Sequence, residues 1–249
     1  MMFSRPVVVL FAASVLWGTS WLPLKGLNGL GLDGIALIFS AYGLLALLLT
    51  PGWWRGRAAY GAGGRRYLAW ILLLGGAANL AFTTALVYGE VVRVMVLFYL
   101  LPVWGVLGGR FLLHERVDGW RWLGVGLAIG GAFLVLGGFA VFDAPPSWLD
   151  LVALLSGFFF AMNNLAFRAA QEVPVRSKLA AMFWGCTILA GLLLLAGVQP
   201  WPAAAGPLAW GALALYAFAW LLAANMGSQW GVTHLEAGRA SIIIIMELV

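Results

Sequence analysis

Apolar residues run along this chain in long unbroken stretches separated by short polar gaps. A helix needs about 20 consecutive apolar residues to cross a bilayer. Eight stretches meet that need, at roughly 7–24, 33–50, 68–88, 91–113, 120–141, 148–169, 178–198 and 208–229. Charges inside them lie only near their ends. Barrel strands would instead alternate in short segments, so the pattern predicts membrane helices. A ninth stretch starts near Ala237. By Val249 it would rise only about 20 Å as a helix, against a hydrocarbon core of about 30 Å. The expected fold is therefore an all-α polytopic membrane protein with eight full spans and part of a ninth, its last element cut off inside the membrane.

Composition agrees with the pattern. Hydrophobic residues make up 63% of the chain and charged residues only 9%, where soluble domains carry about a quarter. Such a chain cannot cover a water-facing surface. The net charge of +5 is read as topology rather than as a nucleic-acid site, because the basic residues sit in the gaps. With the N-terminus on side one, that side holds Arg5, Arg55, Arg57, Arg65, Arg66, Arg110, Arg116, Arg121, Arg168, Arg176, Lys178 and Arg239. The other side holds Lys25 and Arg93. Basic loops stay in the cytoplasm, so a cytoplasmic N-terminus in a bacterial inner membrane is expected. Trp53, Trp54, Trp148 and Trp201 fall at the predicted interfaces, where amphipathic rings are favoured. The first apolar stretch lacks a small-residue cleavage site and reads as a membrane helix rather than a signal peptide. The single cysteine, Cys186, lies inside an apolar run and allows neither an internal disulfide nor a metal cluster.

The chain repeats itself. Ala77-Ala78-Asn79 matches Ala223-Ala224-Asn225 at an offset of 146, and at the same offset Glu90 matches Glu236 and Arg93 matches Arg239. A weaker match at an offset of 143 sets Leu16–Lys25 against Phe159–Arg168. The unit holds five helices, an odd number, so the second copy enters the membrane from the opposite side. The expected units are 1–141 and 148–249, the second incomplete. Inverted repeats of this kind are an architecture of secondary transporters.

Several motifs carry a family resemblance: Val15-Leu-Trp-Gly-Thr-Ser20, Tyr99-Leu-Leu-Pro-Val-Trp104, Leu112-Leu-His-Glu-Arg-Val117, Ala237-Gly-Arg-Ala-Ser241 and Met246-Glu-Leu-Val249. With the repeat, they resemble the EamA-type permeases of the drug/metabolite transporter superfamily. The resemblance implies ten helices in two inverted halves, both termini in the cytoplasm and a central cavity between the halves. It also implies that the counterparts of about 35 residues after Val103 are missing beyond Val249, so the chain is expected to be a truncated member.

Polar groups are costly in lipid and should face the bundle interior. The expected cavity residues are Trp17, Thr19, Ser20 and Trp21 in the first stretch, Tyr42 in the second and the repeat-related Asn79 and Asn225. Tyr99 and Trp104, which flank Pro102, join them, with Asn163, Asn164 and Trp184. Adjacent helical residues diverge by about 100°, so only one of Asn163 and Asn164 is expected to face the cavity. Pro102 removes a backbone donor and should leave a carbonyl open as an acceptor. Glu90 with Arg93, and Glu236 with Arg239, stand one turn apart. Each pair reads either as a gate at one mouth or as an interfacial ion pair. Glu247 is the one acid placed deep in a span, a candidate for proton coupling. His114 and His234 are expected at the interfaces. Gly105-x-x-x-Gly109 and Gly126-x-x-x-Gly130 offer smooth faces for close packing within one subunit or, less favoured, in a dimer.

These features point to a secondary transporter, an exporter of small organic solutes such as amino acids, metabolites or drugs. It would work by alternating access, as a monomer or homodimer in contact with lipid, with no cofactor and no nucleic-acid partner. No G-x-x-x-x-G-K-[ST] loop is present for nucleotide hydrolysis. A membrane-embedded enzyme is the alternative, but two distant histidines, four loop-proximal aspartates and no G-x-S-x-G argue against it. A non-transporting fragment is the other alternative.

Overall fold

The fold comes from a computed structural model, which describes residues 5–32, 34–135, 137–143, 145, 147–202 and 205–244. Among them every regular element is helical. Lipid leaves no other way to satisfy the backbone of a long apolar run within one segment. The helices are α1 (Arg5–Gly18), α2 (Trp21–Gly29), α3 (Gly34–Gly56), α4 (Ala62–Tyr88), α5 (Val91–Phe98) and α6 (Leu101–Leu112). They continue as α7 (Gly119–Val135), α8 (Trp148–Ala169), α9 (Val175–Leu195), α10 (Pro207–Leu215), α11 (Leu222–His234) and α12 (Ala237–Ile244). A π-helical turn, Tyr216–Leu221, joins α10 to α11.

Seven helical segments among the described residues are long and apolar enough to cross a membrane: Arg5–Gly29, Gly34–Gly56, Ala62–Leu86, Val91–Leu112, Trp148–Ala169, Val175–Leu195 and Pro207–His234. The stretch at 120–141, expected to be a full span, is described as a helix followed by a 3₁₀ turn. Its helix α7 has 17 residues. Gly137 and Gly138 follow with φ of +107° and +61°, a left-handed backbone that glycine adopts freely, and a 3₁₀ helix over Gly138–Phe142 comes next. The ninth stretch is helical over Ala237–Ile244.

Two spans are interrupted, and proline explains both. In the first, a turn at Thr19–Ser20 separates α1 from α2, three residues ahead of Pro23. In the fourth, the chain breaks at Tyr99–Leu100, just before Pro102. The missing N–H of Pro102 leaves the carbonyl four residues back, that of Phe98, without a helical donor. That carbonyl does not open into a cavity: it lies against Gly157 of α8, where a Cβ would come within 2.6 Å of it. By contrast α8 begins on a sequence-coded cap, the Ser147 N–H donating to Asp150 Oδ2 at 2.7 Å.

The core of the bundle is α3 packed along α9, with α4 against both α8 and α9. Around it α1 packs on α11 and α12, and α6 on α8 and α12. The tightest crossing is between α4 and α9. A Cβ on Gly76 would stand 2.6 Å from the Gly185 carbonyl carbon, and one on Gly185 would overlap the Leu72 carbonyl oxygen. Small residues at such crossings let backbones approach where lipid gives no hydrophobic drive. Gly105 and Gly109 likewise press on α12, at Ser241 and Ala237. For Gly126 and Gly130 of α7, no atom of the described residues lies within 4 Å of a Cβ at either.

Candidate functional site

Three polar groups lie inside the bundle, where each polar atom needs a partner. The first centres on Tyr42 of α3. Its hydroxyl donates to Asn79 Oδ1 of α4 at 2.9 Å, and Asn79 Nδ2 donates to the Gly75 carbonyl at 3.0 Å. The Asn225 side chain also approaches this hydroxyl. Asn225 Nδ2 donates to the Leu221 carbonyl at 2.8 Å, at the end of the π-helical turn. Phe183 of α9 meets the Tyr42 ring edge-on at 5.5 Å. Two asparagines from two distant spans thus converge on one hydroxyl.

The second group joins α1, α8 and α11. The Trp17 indole donates to Ser228 Oγ at 3.2 Å. Gln229 Nε2 donates to Asn164 Oδ1 at 3.2 Å. Asn163 turns the other way, its Nδ2 lying 3.8 Å from the Met182 sulfur of α9. The 100° divergence is therefore real, yet both asparagines are buried. Asn163 Oδ1, Asn164 Nδ2 and Gln229 Oε1 are buried with no hydrogen-bond partner. Trp104 packs edge-on against Phe158 at 5.6 Å, and its indole N–H is also unpartnered.

The remaining cavity candidates are dispersed. Thr19 is exposed and bonds back to the Val15 carbonyl at 2.8 Å, and Ser20 is half-buried beside it in the turn. Trp21 opens α2. Tyr99 is buried against Phe98. Trp184 faces away from the asparagines, donating to Thr50 Oγ1 at 2.8 Å. It lines a groove of about 490 Å³ between α3, α9 and α10.

The third group is electrostatic, at the arginine-rich end. Glu115 pairs with Arg168 at 3.5 Å and accepts from the Ala237 N–H at 2.9 Å. Arg121 pairs with Glu236. Arg168 and Gln171 both donate to the Thr233 carbonyl, at 2.9 and 2.8 Å. Lys178, wholly buried, donates to the carbonyls of Phe167 at 2.8 Å and Ala170 at 3.3 Å, and to Thr233 Oγ1 at 3.0 Å. It serves the open C-terminal carbonyls of α8, which a cation suits.

The two expected pairs one turn apart form differently. Arg93 is buried and reaches across to Asp150 at the start of α8, at 2.8 Å, leaving Glu90 exposed. Glu236 reaches across to Arg121 while Arg239 is exposed. In each case the partner on a neighbouring element outcompetes the one on the same helix. His114 and His234 are both exposed at helix ends. Glu247 lies outside the described residues. Gln229, Ser228, Lys178 and Thr233 were missed in the sequence. Their signal was the same as for the asparagines, polar types within or bordering an apolar run, but they sit close to predicted span ends.

A bundle of membrane-length helices with amides, hydroxyls and indoles turned inward defines a polytopic helical membrane protein. The family model of the EamA-like transporter family matches residues 4–137, and the chain belongs to that family, a family of membrane transporters. A crystal structure described only as that of a protein has the same fold, with a TM-score of 0.76 at 19% identity, covering 98% of this chain and 86% of that one. No curated protein matches the sequence.

Proposed function

We propose that this chain moves small organic solutes across the bacterial inner membrane by alternating access, in the export direction, with its N-terminus in the cytoplasm. The observation that carries this reading is the convergence of Asn79 and Asn225 on the Tyr42 hydroxyl. These asparagines are repeat-related in sequence, so a site shared by the two units lies where both reach it.

Helix contacts support an inverted repeat of the units 1–141 and 148–249. Exchanging the copies turns the α4–α8 contact into the α11–α1 contact, and both are present. It pairs α3 with α9 and α6 with α12, and both pairs touch. The ion pairs at the arginine-rich end bridge the two units through Glu115–Arg168 and Arg121–Glu236. They act as a closed gate on that face. Arg93–Asp150 bridges the units at the other face. Unpaired amide atoms of Asn163, Asn164 and Gln229 suit a polar or zwitterionic solute such as an amino acid or metabolite. Glu247 remains the candidate for coupling to protons.

Reconstitution in liposomes tests this. Labelled amino acids, nucleosides and a cationic dye are offered with and without a pH gradient. Uptake of at least one, reduced about tenfold or more by Tyr42→Phe with Asn225→Ala, is expected. If the protein, shown to be folded, moves none of them, the transport reading fails. Reporter fusions at the N-terminus and in the Arg55–Arg66 loop test the orientation.

A further inference from the structure

The ends of α3 and α4 at the arginine-rich face enclose a groove of about 410 Å³ lined by Trp53, Trp54, Tyr60, Arg65, Leu68, Ala69 and Leu72. Six of the seven lining residues are apolar or aromatic. They run from the loop down the first turns of α4, along the direction a lipid tail would take beside a membrane helix. The loop that roofs the groove is held in place. Tyr60 is buried and its hydroxyl bonds Ser177 of α9 at 2.6 Å. A Cβ on Gly64 would stand 3.0 Å from Val173, so the start of α4 sits tightly on the α8–α9 loop. The groove is therefore preformed.

One charge lies in the groove and two lie next to it in the chain. Arg65 is a lining residue, and Arg55 and Arg66, each adjacent in sequence to a lining residue, are exposed. Arg65 lines the groove itself, oriented by one bond to the Tyr60 carbonyl at 3.1 Å. A guanidinium has five donors, and this bond uses one of them. From Gly34 to Gly89 the chain has no acidic residue at all, so nothing on α3, α4 or their loop neutralises these charges. The acid beside it in the packed α8–α9 loop is Glu172, next to Val173 and exposed, against three arginines. An apolar slot beside a net basic edge, at the end of two membrane-length helices, suits an amphipathic anion.

The geometry points to a docking site for an anionic phospholipid, its acyl chain in the Trp53–Leu72 groove and its phosphate among Arg55, Arg65 and Arg66. Arginine pairs phosphate with two parallel bonds, and basic residues at the cytoplasmic surface hold anionic lipid. The inference rests on the chain being a membrane protein and on the proposed orientation. Transport is a separate question, and a chain inactive in transport would still bind the lipid.

Native mass spectrometry of the full chain, purified in detergent and titrated with equal phosphatidylglycerol and phosphatidylcholine, tests it. A preference for phosphatidylglycerol of roughly tenfold or more is expected, from about a fivefold contribution per arginine near a charged surface. Arg55→Gln with Arg65→Gln and Arg66→Gln should bring the two lipids within about twofold. Ala69→Phe, which fills the groove without touching its charge, should weaken phosphatidylglycerol binding as well. Arg110→Gln with Arg116→Gln removes charge elsewhere on the same face and should leave the preference intact. Equal binding of the two lipids by the native chain would overturn the proposal. So would an Arg110/Arg116 variant that loses the preference as fully as the groove variants, since the attraction would then belong to the whole face. If the triple variant does not fold, Ala69→Phe decides between the outcomes.

Discussion

Lys178 shows what a single residue does here that its position in the sequence conceals. It reads as one more basic residue at a helix start, but its ammonium is wholly buried on two carbonyls and a hydroxyl. Bonds to charged groups contribute about 1.5–3 kcal/mol, and an acceptor left bare costs about 1–3 kcal/mol. Lys178→Met should therefore destabilise the chain by about 2 kcal/mol or more, seen as a lower midpoint in thermal unfolding in detergent. A variant as stable as the native chain would mean that water serves those carbonyls. Tyr42→Phe makes the opposite kind of change. It deletes one bond between helices, worth about 0.6 kcal/mol in membranes on average. Its thermal midpoint should move little, while the transport assay should show a clear loss.

At the scale of elements, close approach of backbones decides which glycines matter. Gly76→Ala drives a methyl into the Gly185 carbonyl, and Gly157→Ala drives one into that of Phe98. Overpacking against backbone costs about 1–3 kcal/mol, so either variant should unfold earlier and express poorly. Gly126→Ala and Gly130→Ala on α7 meet nothing among the described residues and should be neutral or slightly stabilising, as alanine is the better helix former. The four substitutions, compared by thermal unfolding, separate packing from propensity. Sequence spacing could not make this distinction: Gly105-x-x-x-Gly109, which presses on α12, looks like Gly126-x-x-x-Gly130 on paper, and Gly76 and Gly157 stand in no such motif. The helix breaks were easier to foresee: Pro102 marked one, and the carbonyl it freed was expected, though not the glycine that covers it.

For the molecule as a whole, the ion pairs hold one end of the bundle together. Glu115–Arg168 and Arg121–Glu236 tie the α6–α7 region to α8 and to the α11–α12 junction. Partly exposed pairs are each worth only about 0.2–1 kcal/mol, enough to bias an opening equilibrium without fixing it. Glu115→Gln with Glu236→Gln should favour opening at this face. A cysteine at Ser228, with Cys186→Ala, should then react several-fold faster with a membrane-impermeant maleimide added from that side. Unchanged labelling would mean that the pairs do not form the gate.

The sequence by itself determined the solvent, the helices and the family. Runs of apolar residues with few charges have only one stable form in lipid, and Pro102 marks one place where that form breaks. It also singled out Asn79 and Asn225, because an amide is conspicuous among leucines. What only the tertiary structure decided was partnership. Arg93 chose Asp150 over Glu90, Glu236 chose Arg121 over Arg239, and Trp184 turned to Thr50. The reason is physical: helical periodicity sets which residues share a face, but hydrogen bonds and ion pairs form across distances of about 3 Å. Which atoms come that close depends on how helices far apart in the chain cross.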